Sequence, residues 1–174
     1  MNHKLSHGLS AQATSRTQAG FTLVELVTVI LILGVLAAVA LPRYADLQGK
    51  AREAKVKAVA GSMKAATGLV KASAMANGVS CATATGTNVS MEGLKVALNH
   101  CYPEPTGSFT EGILGAANVA SADGWKIDGG GSKPGEKLVL QLSDAATPDK
   151  CAIAYTSAAD ATTPPTIETT LDGC

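Results

Sequence analysis

The residues with most chemistry to offer are four cysteines, Cys81, Cys101, Cys151 and Cys174, and a carboxylate, Glu25, set inside an apolar run. An even number of cysteines suits either disulfides or a metal centre. No C-x₂-C pair occurs, and His3, His7 and His100 have no metal-ligand spacing to the thiols, so zinc is a poor fit. Two disulfides in an oxidising compartment are expected instead. Four cysteines allow three connectivities; pairing in sequence order is the simplest, each bridge closing a loop of about 20 residues. Asp123, Asp128 and Glu136 flank glycine-rich turns and could be read as calcium ligands. They lack EF-hand spacing, and solvated turns use the same residues, so no cofactor is expected. H-E-x-x-H, G-x-S-x-G, P-loop and dinucleotide motifs are all absent, which argues against an enzyme.

Glu25 owes its interest to its surroundings. Phe21 to Leu41 reads FTLVELVTVILILGVLAAVAL, with Glu25 its one charged residue. As a helix this run is about 31 Å long, the thickness of a bilayer's hydrocarbon core. A secretory signal cut after Ala38-Val39-Ala40 would discard the run, and a plain anchor would keep it. Neither accounts for the carboxylate, which is unfavourable in lipid by a few kcal/mol toward the bilayer centre and usually functional there. Near the helix start it can also reach the interface or favour the helix dipole.

Gly20-Phe21-Thr22-Leu23-Val24-Glu25, followed by aliphatic residues with Gly34 and Pro42, closely resembles the N-terminus of type IV pilins and their pseudopilin relatives. The resemblance implies that a prepilin peptidase cuts between Gly20 and Phe21 and methylates the new amine. It also implies that Glu25 pairs with the Phe21 amine of a neighbouring subunit during assembly, and that the Gly34–Pro42 stretch bends or unwinds in a fibre. Glycine weakens a helix and proline removes one of its hydrogen bonds, so that stretch has a backbone reason to yield. Leu41-Pro42-Arg43-Tyr44-Ala45-Asp46-Leu47-Gln48, and Cys151 to Thr156 ahead of Cys174, look like the mannose-sensitive haemagglutinin class of type IVa pilins. A 20-residue leader is longer than that group usually carries.

The remaining elements must position these residues. The expected organisation is a leader at 1–20, a hydrophobic helix at 21–42, an amphipathic helix at 43–77 and a β-rich head at 78–174. Val56, Val59, Met63, Ala66, Val70 and Ala74 recur in steps of three and four, while Lys50, Lys57, Lys64 and Lys71 form a separate seven-residue stripe. Asn77-Gly78 is a helix stop. Met91–Asn99 reads as a short helix; Trp125–Ile127, Lys137–Leu142, Cys151–Thr156 and Thr166–Leu171 read as strands. One long helix followed by grouped strands predicts an α+β fold with an antiparallel sheet.

Charge is balanced overall, 14 basic against 14 acidic groups, yet segregated. Residues 43–71 carry seven basic groups against Asp46 and Glu53, whereas 72–174 carry five against eleven. A neutral chain is a poor nucleic-acid binder. The resemblance implies a structural subunit held in the bacterial inner membrane. Processing by prepilin peptidase and polymerisation by pilus machinery into an extracellular homopolymer for adhesion and motility would follow. The major pseudopilin of a type II secretion system is the alternative, its heads tending to be cysteine-free and calcium-stabilised.

Overall fold

The structure, a computed structural model, describes residues 20–82, 86–91 and 93–174. All of the expected leader except Gly20 lies outside the described residues. The chain divides into two units at the Pro42–Arg43 boundary. Helix α1, Leu23–Ala76, is 54 residues long and includes Pro42. Proline has no N–H to offer the carbonyl of Ala38, one turn earlier, so one rung of the ladder is missing there. In the first unit every residue from Gly20 to Pro42 is exposed, Phe21 by 83% and Leu31 by 64%.

In the second unit α1 becomes the central core element. Val56, Ala60, Met63, Ala66, Val70 and Ala74 are buried, a stripe in steps of three and four that matches the helical period. Val59, expected in that stripe, is only partly buried; Ala60 takes the inward position. The helix ends in a Schellman motif. Val79 N–H bonds to the Ala74 carbonyl at 3.0 Å and Gly78 N–H to that of Met75 at 3.1 Å, with Gly78 at φ +69°. A side chain at Gly78 would be strained in that left-handed conformation, which is why the chain turns there.

Two antiparallel sheets share the buried face of α1. The first holds β1 (Thr87–Met91), β2 (Leu94–Asn99) and the short β3 (Tyr102–Pro103). Val89, Val96, Leu98 and Cys101 from this part of the chain form one core cluster with Val70 and Ala74. The second sheet runs in sequence order through β4 (Trp125–Gly129), β5 (Lys137–Leu142), β6 (Ala152–Thr156) and β7 (Thr166–Thr170). Leu138, Leu140 and Leu142 of β5 and Ile153 and Tyr155 of β6 pack with Val56, Ala60, Met63 and Ala66. Alternation on β5, buried at every second residue, is the period-two signal of a half-buried strand. Met63 is fully buried, and truncation to alanine there would remove about 2–5 kcal/mol of stability.

The short helix expected over Met91–Asn99 is not formed. The segment instead holds the end of β1 and all of β2, paired from Thr87 with Leu98 to Met91 with Leu94. Leucine, lysine and alanine favour helix locally, but Val96 and Leu98 alternate with Lys95 and Ala97 and reach the Val70 and Ala74 face only from a strand. A helix the sequence did not suggest, α2 (Gly112–Ala116), buries Ile113 and Leu114. Its first residue must be glycine: a Cβ on Gly112 would lie 2.3 Å from the Glu104 carbonyl oxygen, with φ at +56°.

Candidate functional site

The start of α1 carries the chemistry that the sequence singled out. Gly20 and Phe21 precede the helix in exposed backbone. Thr22 is the capping residue, and Glu25 stands three positions on. The Glu25 Oε2 atom accepts the Thr22 backbone N–H at 2.9 Å and the Thr22 hydroxyl at 2.8 Å. Thr22 Oγ1 in turn accepts the Glu25 N–H at 3.3 Å. This is a capping box, two otherwise unpaired helix-end donors satisfied reciprocally. The T-x-x-E spacing of Thr22 and Glu25 is the sequence signal for it. The box fixes the carboxylate beside the residue that would become the new N-terminus. Phe21 and Glu25 are thus brought within one turn of each other at the helix start.

Beyond this cap the helix is aliphatic, its most apolar 18-residue window having a mean hydropathy of 2.8 and no buried residue. Side chains this apolar leave water only if lipid or another chain covers them. Gly34 lies in that window with open space where a side chain would project.

The lysine stripe of α1 is divided in its contacts. Lys50 pairs with Asp46 at 3.1 Å and Lys57 with Glu53 at 3.2 Å, exposed i, i+4 pairs worth a few tenths of a kcal/mol. Lys64 makes no ion pair or ring contact among the described residues. Lys71 lies 4.7 Å from the centre of the Tyr102 ring and donates to its hydroxyl at 2.8 Å, tying α1 to β3. Lys55 does the same for β4: it sits over the Trp125 ring at 5.6 Å and donates to the Asp123 carbonyl.

The cysteines pair Cys81 with Cys101 and Cys151 with Cys174, with Cα separations of 5.0 and 4.8 Å. Next to the second bridge, Arg52 donates to the Cys174 carbonyl at 3.2 Å and pairs with Asp144 at 3.5 Å. The first bridge holds an unusual turn. His100 and Cys101 join β2 to β3 with φ of +50° and +67°, a two-residue hairpin in which neither residue is glycine. His100 Nδ1 lies 3.1 Å from the Cys81 carbonyl and is used up in this turn.

The acidic residues considered for calcium stay apart. Asp123 accepts the Ala120 N–H at 3.3 Å, Glu136 accepts the Lys133 N–H at 2.9 Å, and Asp128 is exposed on β4. No group of three or more histidine, cysteine, aspartate or glutamate side chains gathers among the described residues.

The N-terminal segment has counterparts among known proteins. Residues 15–41 match the prokaryotic N-terminal methylation motif. The chain is 49% identical over 47 residues to the type IV narrow pilus major component PilA5 of Thermus thermophilus, covering 27% of this chain and 40% of that one. Over its N-terminal segment the chain is similar to type IV pilins. The type IV major pilin PilE1 of Neisseria gonorrhoeae is 49% identical over 49 residues, 28% of this chain and 30% of its own. The type IV major fimbrial protein FimA of Dichelobacter nodosus is 41% identical over 49 residues, 28% of this chain and 31% of its own. The chain thus matches well under half the length of these pilins. No solved structure matches it.

Proposed function

We propose that this chain is a major structural subunit of a type IV pilus, of the type IVa group. Prepilin peptidase cuts it after Gly20 and methylates Phe21; the inner membrane stores it through the apolar half of α1. Pilus machinery then polymerises it into an extracellular filament for adhesion and motility. The role is structural rather than catalytic, and no cofactor enters it. The observation that carries this reading is the exposed apolar helix headed by the methylation motif, with Glu25 held at its first turn by Thr22.

Assembly replaces lipid with the aliphatic side chains of neighbouring helices. A carboxylate in such surroundings needs a positive partner. The amine of Phe21 from an adjacent copy supplies one, and the pairing sets axial register. Gly34 and Pro42 supply the compliance a packed helix needs. The relatives named above are pilus or fimbrial subunits, which supports the pilin reading, as do the two disulfides in the head.

Electron microscopy of filaments sheared from cells, with N-terminal sequencing of their subunit, tests the reading. Long filaments whose subunit begins at methylated Phe21 are expected. A short secretion pseudopilus, or a subunit beginning elsewhere, would overturn it.

A further inference from the structure

A groove of roughly 470 Å³ opens in the second unit where its two core clusters meet. Leu69 of α1, Met91 and Leu94 of the β1–β2 hairpin, and Phe109 and Ala116 at α2 line it. Leu69 is 61% exposed, although the rest of this wall is partly buried. Glu111 follows the lining residue Thr110 and is exposed, and it makes no ion pair among the described residues. Lys95, the nearest cation along β2, falls on the opposite face of the strand from Leu94 and Val96.

The same unit presents a matching convex feature elsewhere. Tyr44 is 62% exposed and Leu47 63%, one turn apart on α1. Arg43, beside Tyr44, is exposed and also makes no ion pair among the described residues. An exposed aromatic side chain beside a cation with no ion pair among the described residues faces outward at one level of the helix; a groove of mixed apolar and polar lining, with Glu111 next in sequence to its lining residue Thr110, lies at another. Tyr44 and Leu69 are 25 residues apart along α1, about 37 Å.

We propose that Tyr44 of one copy of this chain inserts into the Leu69–Leu94–Phe109 groove of a second copy, with Arg43 of the first paired to Glu111 of the second. Knob and groove occupy different places on the chain, so the contact is heterologous and each copy keeps one of each free. Repetition builds an open polymer rather than a closed dimer. The proposal rests on the filament reading above and adds a head contact to it, one that offsets successive copies axially by about the length of α1 between the two features.

Filaments of the full chain provide the test. Tyr44→p-benzoylphenylalanine places a photoreactive ketone at the knob, and irradiated filaments should yield a cross-linked dimer whose second peptide contains Leu69 or lies within residues 91–118. Arg43→Glu and Glu111→Arg should each lower sheared filament yield about tenfold, and the double variant should recover to within about twofold of the parent, the signature of direct coupling. The altered side chains are exposed, so subunit level and non-reducing mobility should stay at the parent's values. Cross-links confined to other peptides or to lipid, or single variants with parental yield, or a double variant no better than the singles, would overturn the contact while leaving filaments intact. A parent chain that forms no filament would overturn the filament reading itself.

Discussion

Thr22 and Glu25 hold each other at the start of α1, the threonine hydroxyl 2.8 Å from the carboxylate oxygen that also takes the Thr22 backbone N–H. One side chain therefore has two separable properties: it completes a helix cap, and it carries a charge. Glu25→Gln keeps an oxygen able to accept both hydrogen bonds and removes only the charge. On the proposed function, the glutamine variant is cleaved and stays in the membrane but is missing from sheared filaments. Thr22→Ala loses the cap, about 1 kcal/mol of helix stability, and still assembles. Immunoblots of membrane and sheared fractions compare them; a glutamine variant that assembles normally would mean the cap, not the charge, is what Glu25 supplies.

The turn at His100 and Cys101 separates the effect of a disulfide from that of backbone strain. Loss of either bridge removes about 3 kcal/mol in the chain-entropy account. Cys101, at φ +67°, also occupies a conformation that costs a non-glycine residue about 1 kcal/mol. Cys81→Ala with Cys101→Gly should therefore melt higher than Cys81→Ala with Cys101→Ala, although below the parent. Thermal unfolding of the detergent-solubilised chain gives the comparison; equal melting temperatures would show that the strain is relieved once the bridge is gone.

Lys64 and Lys71 sit one heptad apart in the same sequence stripe and should behave differently. Lys71→Met removes a ring contact and a hydrogen bond to Tyr102, lowering stability by about 1–2 kcal/mol. Lys64 makes no ion pair or ring contact among the described residues, so Lys64→Met should leave melting unchanged to within about 0.5 kcal/mol. Melting curves of the two variants decide it. The lysine stripe thus divides into two helix pairs, a tether and, in Lys64, a cation with no ion pair among the described residues.

How much of this was legible in the residues follows from which force shaped each part. The buried stripe from Val56 to Ala74 declared itself because every member answers to the same helical period. Leu138, Leu140 and Leu142 declared a strand because one sheet face is covered. Over Met91–Asn99 the local preferences of leucine, lysine and alanine point to a helix, and what overrides them is packing of Val96 and Leu98 on Val70 and Ala74, distant in sequence. The chemistry of Glu25 was legible as an isolated charge; its hydroxyl partner was written in the same six residues. The aromatic tethers at Tyr102 and Trp125 were not, because each depends on a strand that meets α1 only after folding.

Glu104 gives the head a pH dependence of definite sign. Its residue is only 5% exposed, at the end of β3, and burial pushes its carboxyl above the ordinary glutamate value of 4.5. A hydrogen bond from the Gly86 N–H opposes this rise, and the nearby Glu136 charge adds to it. A carboxyl that is harder to ionise in the folded chain than in the unfolded one favours folding when protonated. That contribution is complete below the unfolded value and is lost as pH rises through the folded one. Glu104→Gln stays neutral at every pH and can still accept the Gly86 bond. It should melt above the parent at pH 7, and the gap should close as pH is lowered to 4. Paired melting curves across that range cancel the other titrating groups, and a gap that widens on acidification would mean the ionised carboxylate is the form the fold prefers.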